Sequence, residues 1–184
     1  MNSELPRPVT EGLFASRTVL VFGEVDMDLA ERAAAQLLSL DALSQEPILV
    51  IVNSPGGHVE AGDTVHDVIR FLRSEVRMLG TGWVASAGAL IYVGARRENR
   101  LALPNTRFLL HQPLGGVTGR ASEIEVEAEQ IVAMRQRLAR IFADATGQPL
   151  EKLEKETEQN HWMSAPQALD YGLVGRIVES VSDV

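Results

Sequence analysis

Apolar positions in this chain follow two different periods. From Thr18 to Phe22 (TVLVF) and from Ile48 to Val52 (ILVIV) they run unbroken and rich in β-branched residues, which predicts two buried strands. Between these runs Leu29, Ala33, Leu37 and Leu40 recur every three or four residues, predicting a helix from a cap at Asp28 to about Leu43. Gly62, Val65, Ile69 and Leu72 repeat that spacing after Asn53-Ser54-Pro55-Gly56-Gly57, which reads as a turn between strand and helix. Further on, short strands are expected near Arg100 to Leu103 and over Arg107 to Leu110. A capping box at Ser122 and Glu125 should open a long helix to about Thr146, stopped by Gly147 and Pro149. Its stripe is Ile124, Ala128, Ile131, Leu138 and Phe142. Ser164 with Gln167 repeats the capping signal for a short helix ending at Gly172, before a last strand around Val174 to Val178. Strands alternating with helices, without long linkers, indicate a single α/β domain. Residues 1–12, with two prolines and a glycine, read as a flexible arm.

The stretch Met78 to Ala95 stands apart, because its eighteen residues carry no formal charge. Its length reaches that of a membrane span. Gly80, Gly82, Gly88 and Gly94 make a poor lipid-facing helix, and no second apolar run accompanies it. A better division is a short strand over Arg77 to Thr81, a turn over Gly82 to Ala85, and a buried helix from Ser86 to about Gly94. Ser86 then stands at a strand-to-helix turn among Ala85, Ala87 and Gly88. A serine there is commonly a cap. Small neighbours also let other backbone approach the hydroxyl, and a helix start offers amides for an oxyanion. The G-x-S-x-G pattern of a nucleophile elbow is absent.

Composition narrows the chemistry. The 184 residues are enough for a sizeable core, and the mean hydropathy of +0.00 with 45% hydrophobic residues fits a globular protein. A net charge of −8 argues against a nucleic-acid partner. With no cysteine, disulfides, thiolate metal sites and a cysteine nucleophile are excluded. No basic, then apolar, N-terminal pattern suggests a secretory signal, so a cytoplasmic location is expected. Fifteen arginines stand against two lysines, Lys152 and Lys155, both in the charge-rich segment LEKLEKETEQ, so a Ser/Lys dyad has almost no candidate. A base for Ser86 must come from His58, His66, His111 and His161. His66 lies within a helical stripe, and His161 stands beside Trp162 as a stacking residue. His58 follows the Gly-Gly and could line a site. His111 closes a strand before Pro113, on an element rigid enough to present a base. No histidine spacing suits a metal site, and no cofactor is expected. The Asn53 to Gly57 stretch lacks the lysine of a phosphate loop, but its glycines could expose a backbone amide to a substrate carbonyl.

Four stretches together carry a resemblance. Gly82-Trp83-Val84-Ala85-Ser86-Ala87-Gly88-Ala89, Asn53-Ser54-Pro55-Gly56-Gly57, His111-Gln112-Pro113-Leu114-Gly115-Gly116, and Met163-Ser164-Ala165-Pro166 with Tyr171-Gly172-Leu173-Val174 resemble the Clp protease proteolytic subunit, in order and interval, from about Leu13 to Val178. The resemblance implies a serine endopeptidase of the crotonase-like ββα superhelix fold, with a peptidase domain over 13–184. It implies heptameric rings, stacked in pairs around a closed chamber and fed unfolded chains by an AAA+ unfoldase. By position, Ser86 matches the nucleophile and His111 the general base, with the amides of Gly57 and Ala87 in the oxyanion hole. The backbone at Gly57, His58 and Leu114 would pair with an extended substrate. The helix over about 122–146, with the Gly115 to Arg120 loop, matches the handle through which rings stack. The sequence departs from the family where the triad aspartate falls on Asn160 and the preceding arginine on Gln159. Aromatics that would line the unfoldase docking pocket fall on Leu49, Ile51 and Leu101. These departures make a weakly active or structural subunit of a mixed ring with a sibling subunit the alternative. An acyl-CoA enzyme on the related fold would share the oxyanion hole without needing Ser86 and His111.

Overall fold

A computed structural model describes residues 5–113, 116 and 118–184. Helix α1 (Arg7–Ala15) leads into strand β1 (Thr18–Val25), α2 (Met27–Leu43) and β2 (Ile48–Gly57). Then follow α3 (Val59–Phe71), β3 (Val76–Ala85), α4 (Ala87–Tyr92), β4 (Arg100–Ala102) and β5 (Arg107–Leu110). The last elements are α5 (Ala121–Thr146), α6 (Leu150–Glu156), β6 (His161–Ser164), α7 (Ala165–Tyr171) and β7 (Arg176–Ile177). Strands β1, β2, β3, β4 and β7 lie side by side and parallel. β3 serves two neighbours: its first half, Met78 to Gly80, pairs with β4, and its second, Trp83 to Ala85, pairs with β5. β6 closes that branch antiparallel to β5.

Alternation along β1 and β2 turns Val19, Val21, Ile48, Val50 and Val52 into one core, which includes Ala30, Leu37 and Leu40 of α2, Val65 of α3 and Leu90 of α4. Fully burying one such aliphatic side chain contributes about 1.5–3 kcal/mol. Leu20, Leu49 and Ile51 alternate to the opposite face and remain half-buried. Arg17 holds the start of β1 to the end of α2, its guanidinium donating to the carbonyls of Leu40 (3.0 Å), Ser44 (3.2 Å), Glu46 (2.7 Å) and Pro47 (3.2 Å). A cation there complements the negative helix end and satisfies its free carbonyls.

Several boundaries differ from expectation. The Asn53 to Gly57 stretch continues β2 instead of turning, and Gly82 to Ala85 likewise continue β3. Positive φ at Gly56 and Gly82 lets each strand bend without ending, and the β2–β3 register shifts between Val52 and Ser54. The cap of α2 is Asp26, whose carboxylate accepts from Leu29 N–H at 2.7 Å, not Asp28. Helix α5 begins at Ala121, with Glu123 accepting from the Arg120 N–H at 2.9 Å, so the Ser122–Glu125 box does not form. The Ser164–Gln167 box does form, Gln167 accepting from Ser164 N–H at 2.9 Å. Part of the stretch read as a flexible arm is helical from Arg7, because Pro6 and Pro8 occupy the cap and first turn, where helices need no donor. None of the described helices is long and apolar enough to cross a membrane.

Candidate active site

Ser86 lies between β3 and α4 with φ 53° and ψ −120°. That backbone is neither extended nor helical, and its hydroxyl makes no capping bond to α4. A capping serine has an extended backbone and an oxygen turned to the first-turn amides. Ser86 has neither, so the cap reading fails. A non-glycine residue at positive φ costs about 1–3 kcal/mol and persists only where the surroundings dictate it. Here Gly56 dictates it: a Cβ on Gly56 would stand 2.6 Å from Ser86 Cβ and 3.2 Å from its Oγ. Gly56 itself has φ +102°, so the sharp serine turn sits against backbone that only glycine readily supplies.

The next residue along, Gly57, has φ +152°, and a Cβ there would overlap the Val25 carbonyl. His58 N–H donates to that carbonyl at 2.8 Å. Ala87, as the first residue of α4, has an N–H with no acceptor inside the helix. Gly57 thus ends β2 one residue beyond the glycine that packs on Ser86, and Ala87 follows Ser86 at the start of α4.

Strand β5 brings His111. Ser86 N–H donates to the Leu109 carbonyl at 3.0 Å, and His111 follows two residues later, just past the end of β5. His111 is half-buried, and burial holds its imidazole below the ordinary 6.5, which favours the neutral form. A cleft lined by Pro113, Leu138, Ala139, Phe142 and Leu153 opens beside it. Antiparallel pairing sets Leu110 against His161, and one further step of that register sets His111 against Asn160. Asn160 is exposed, and among the described residues its amide makes no hydrogen bond to His111, nor does His111 to Ser86. The structure therefore brings the three elements together without closing the hydrogen-bonded relay.

The profile of the Clp protease family matches residues 3–181. The chain belongs to the Clp protease family. The ATP-dependent Clp protease proteolytic subunit 3 of Rhizobium etli is 55% identical over the whole chain and 95% of its own length. Subunit 2 of Pseudomonas aeruginosa is 53% identical over 91% of this chain and 84% of its own. Among solved structures, ClpP1 from Listeria monocytogenes superposes with a TM-score of 0.87 at 48% identity, covering 95% of this chain and 98% of that one. An asparagine-to-aspartate mutant of that ClpP1 gives 0.89 at 49% identity, with the same coverage. The fold is accordingly the ClpP-type α/β superhelix, and the chain is a Clp proteolytic subunit, a serine peptidase by family. That family forms rings of its own subunits and associates with Clp ATPases.

Against this Clp frame, the other singled-out residues divide clearly. His66 is buried in α3 with Nδ1 2.9 Å from Asp67, a packed histidine. His161 stacks at a tilt on Tyr171, ring centres 5.4 Å apart, whereas Trp162 receives Arg107 over its ring at 4.3 Å. His58 is exposed at the start of α3. Leu114, Gly115 and Val117 lie outside the described residues, which leaves the expected substrate-pairing role of Leu114 and much of the Gly115 to Arg120 loop without a structural account. Gln159 is exposed, and Leu101 is buried within β4. Sequence reasoning missed β6, whose four residues His161 to Ser164 have no distinctive period, although β6 pairs with β5 and sets Asn160 just beyond its first residue, next to the end of β5. No metal-binding group of three or more acidic or histidine residues occurs among the described residues.

Proposed function

We propose that this Clp subunit is a slow serine endopeptidase in which Ser86 attacks the substrate carbonyl, His111 takes its proton and Asn160 orients the imidazole. The supporting observation is the strained Ser86 turn, held against Gly56 and joined through the Leu109 carbonyl to the strand that leads into His111. As the hydroxyl adds to the carbonyl, its proton passes to His111, and the developing oxyanion lies between the amides of Gly57 and Ala87. His111 then returns the proton to the leaving amine, and a water repeats the cycle on the acyl-enzyme. The backbone at Gly57 and His58 offers an edge to an extended peptide, which would run towards the small cleft by Pro113 and Leu138. The working form is a ring of these chains, stacked in pairs, with a sibling subunit or an unfoldase as further partners, in the cytoplasm. Exposed Ile124, Val126 and Val132 on the first half of α5 suit a handle that packs against another ring.

The test is a fluorophosphonate probe. Ser86 is expected to be its single site, and Ser86→Ala to abolish the adduct. Labelling that persists in Ser86→Ala refutes the assignment.

A further inference from the structure

Two arginines on α5 hold the two halves of the site. Arg137 makes a bidentate pair with Asp63 of α3, Nη1 to Oδ1 and Nη2 to Oδ2 both at 2.6 Å. With its amide oxygen turned inward, Gln112 accepts from Arg135 Nη2 at 3.0 Å and Nε at 3.2 Å. Each contact lies one residue from a working element. Asp63 follows Gly62, whose Cα faces Ala87 so closely that a Cβ would stand 3.2 Å from the Ala87 Cβ and from its carbonyl oxygen. Gln112 follows His111. Arg137 precedes Leu138, which lines the cleft beside His111. The oxyanion side (β2, α3, α4) and the histidine side (β5 and its cleft) are thus both fastened to the same turn of α5.

The Asp63–Arg137 contact is stronger than an ordinary surface pair. Exposed ion pairs usually contribute little, since water screens them and long side chains lose freedom. Here the Arg137 side chain is 46% exposed and that of Asp63 only 19%. The planar fork meets the carboxylate through two short charge-assisted bonds. The hydrogen bond to Asp63 raises the Arg137 pKa above its ordinary value, with Asp67 and Glu60 adding attraction from the same helix. A lysine could supply the charge but not the fork.

We propose that the Asp63–Arg137 pair is a positioning clasp for extended peptides, setting the distance between the Gly57–His58 edge at the head of α3 and the α5 wall of the His111 cleft. The inference rests on the peptidase reading above. A long peptide must touch both walls at once, whereas a small electrophile at Ser86 touches neither for long. Loosening the clasp therefore weakens recognition of the peptide while leaving the serine reactive. Asp63 and Arg137 act through these walls and touch no reacting atom.

The experiment compares two probes on the assembled protein: a small alkyl fluorophosphonate and a peptidyl diphenyl phosphonate. Asp63→Asn and Arg137→Gln should slow labelling by the peptidyl probe about tenfold, within the range expected when a positioning contact shifts by less than 1 Å, and change the small probe by no more than about twofold. Arg137→Lys should fall between, and the exchange Asp63→Arg with Arg137→Asp should recover most of the loss. Native mass spectrometry and thermal melting on the same samples report folding and assembly. Peptidyl labelling at wild-type rate in the single variants overturns the clasp. So does an equal loss with both probes, which marks a merely structural contact, and so does a loss that the exchange fails to recover. If Asp63→Asn does not fold, Arg137→Lys carries the comparison by the same criteria. Failure of wild-type Ser86 to react with either probe would instead sink the peptidase reading, so the two failures are distinguishable.

Discussion

Gly56→Ala tests whether the serine turn depends on its backing. The new Cβ would stand 2.6 Å from Ser86 Cβ, 3.0 Å from the Ala85 carbonyl oxygen and 3.2 Å from Ser86 Oγ, at a φ of +102°. The backbone conformation costs alanine about 1–3 kcal/mol, and forcing an extra methyl into packed space about 1–3 kcal/mol more. Together these approach half of a typical stability of about 5–15 kcal/mol. The fold can survive by yielding locally, and Ser86, whose Cβ is the nearest atom to the new methyl, is the neighbour that must move. A nucleophile displaced by about 1 Å loses about 10²-fold in rate. Gly23→Ala supplies the control: Gly23 has φ +89° but nothing within 4 Å of its Cβ, so it carries the backbone cost without the contact. Both variants should melt several degrees lower, at about 2–4 °C per kcal/mol for a chain of this size. Only Gly56→Ala should lose fluorophosphonate labelling, by about two orders of magnitude. Labelling of Gly56→Ala as fast as that of Gly23→Ala would refute the idea that Gly56 holds the nucleophile.

Asn160→Asp should raise peptide turnover and move the acid limb of kcat/KM to higher pH, whereas Asn160→Ala should lower turnover; an unchanged rate in a correctly assembled oligomer removes Asn160 from the site. In the parent protein, kcat/KM should hold down to a pH below the ordinary imidazole value of 6.5, since burial depresses the pKa of His111 and keeps the base neutral; a limb at or above 6.5 contradicts this. Asp41 accepts from the Ser74 N–H and Oγ–H, both at 2.8 Å, and from the Arg73 N–H at 3.1 Å, and the Ser74 backbone bond is the main reason its pKa falls below 3.8. Its contribution is complete above that value and lost as pH falls through the lower folded value, so Asp41→Asn should lower the melting temperature at pH 7 and flatten the acid dependence of wild-type stability; equal acid sensitivity in both proteins refutes the linkage. Native mass spectrometry should find rings, with two stacked rings of seven 20.1 kDa chains near about 281 kDa, and a stable monomer alone would refute assembly through α5.

The strands of the core were legible because ILVIV is wholly apolar and TVLVF apolar after Thr18, both rich in β-branched residues, and the helices because their stripes recur in register. What the sequence hid was the continuity of β2 through Asn53 to Gly57 and of β3 through Gly82 to Ala85. Glycine and proline ordinarily end strands. In this fold positive-φ glycines bend them instead, because the neighbouring strand supplies partners on the far side of the bend: Val25 for Gly57, and Arg107 to Leu109 for Trp83 to Ala85. Ser86 was visible from its small neighbours, and its strain was not, since φ is a property of the packing against Gly56. Asp63 and Arg137 gave no sequence signal, lying 74 residues apart on two unrelated stripes.

Asn160 and the half-buried His111 bear on the same proton transfer. A serine is activated only if its base is neutral at the start and stabilised once it has become an imidazolium. Burial satisfies the first condition and works against the second, because a desolvated cation is costly. In a triad with aspartate, the carboxylate offsets that cost, and replacing it with asparagine in a serine protease lowers kcat about 10⁴-fold. Asn160 can orient the His111 ring through its carbonyl, but it brings no charge. Its amide, if reversed, would favour the wrong tautomer. The exposed position of Asn160 leaves the orientation to whatever next packs against β6. On the proposed reading, activity should therefore depend less on the chemistry of the three side chains than on contacts that fix one amide, supplied by assembly or by substrate.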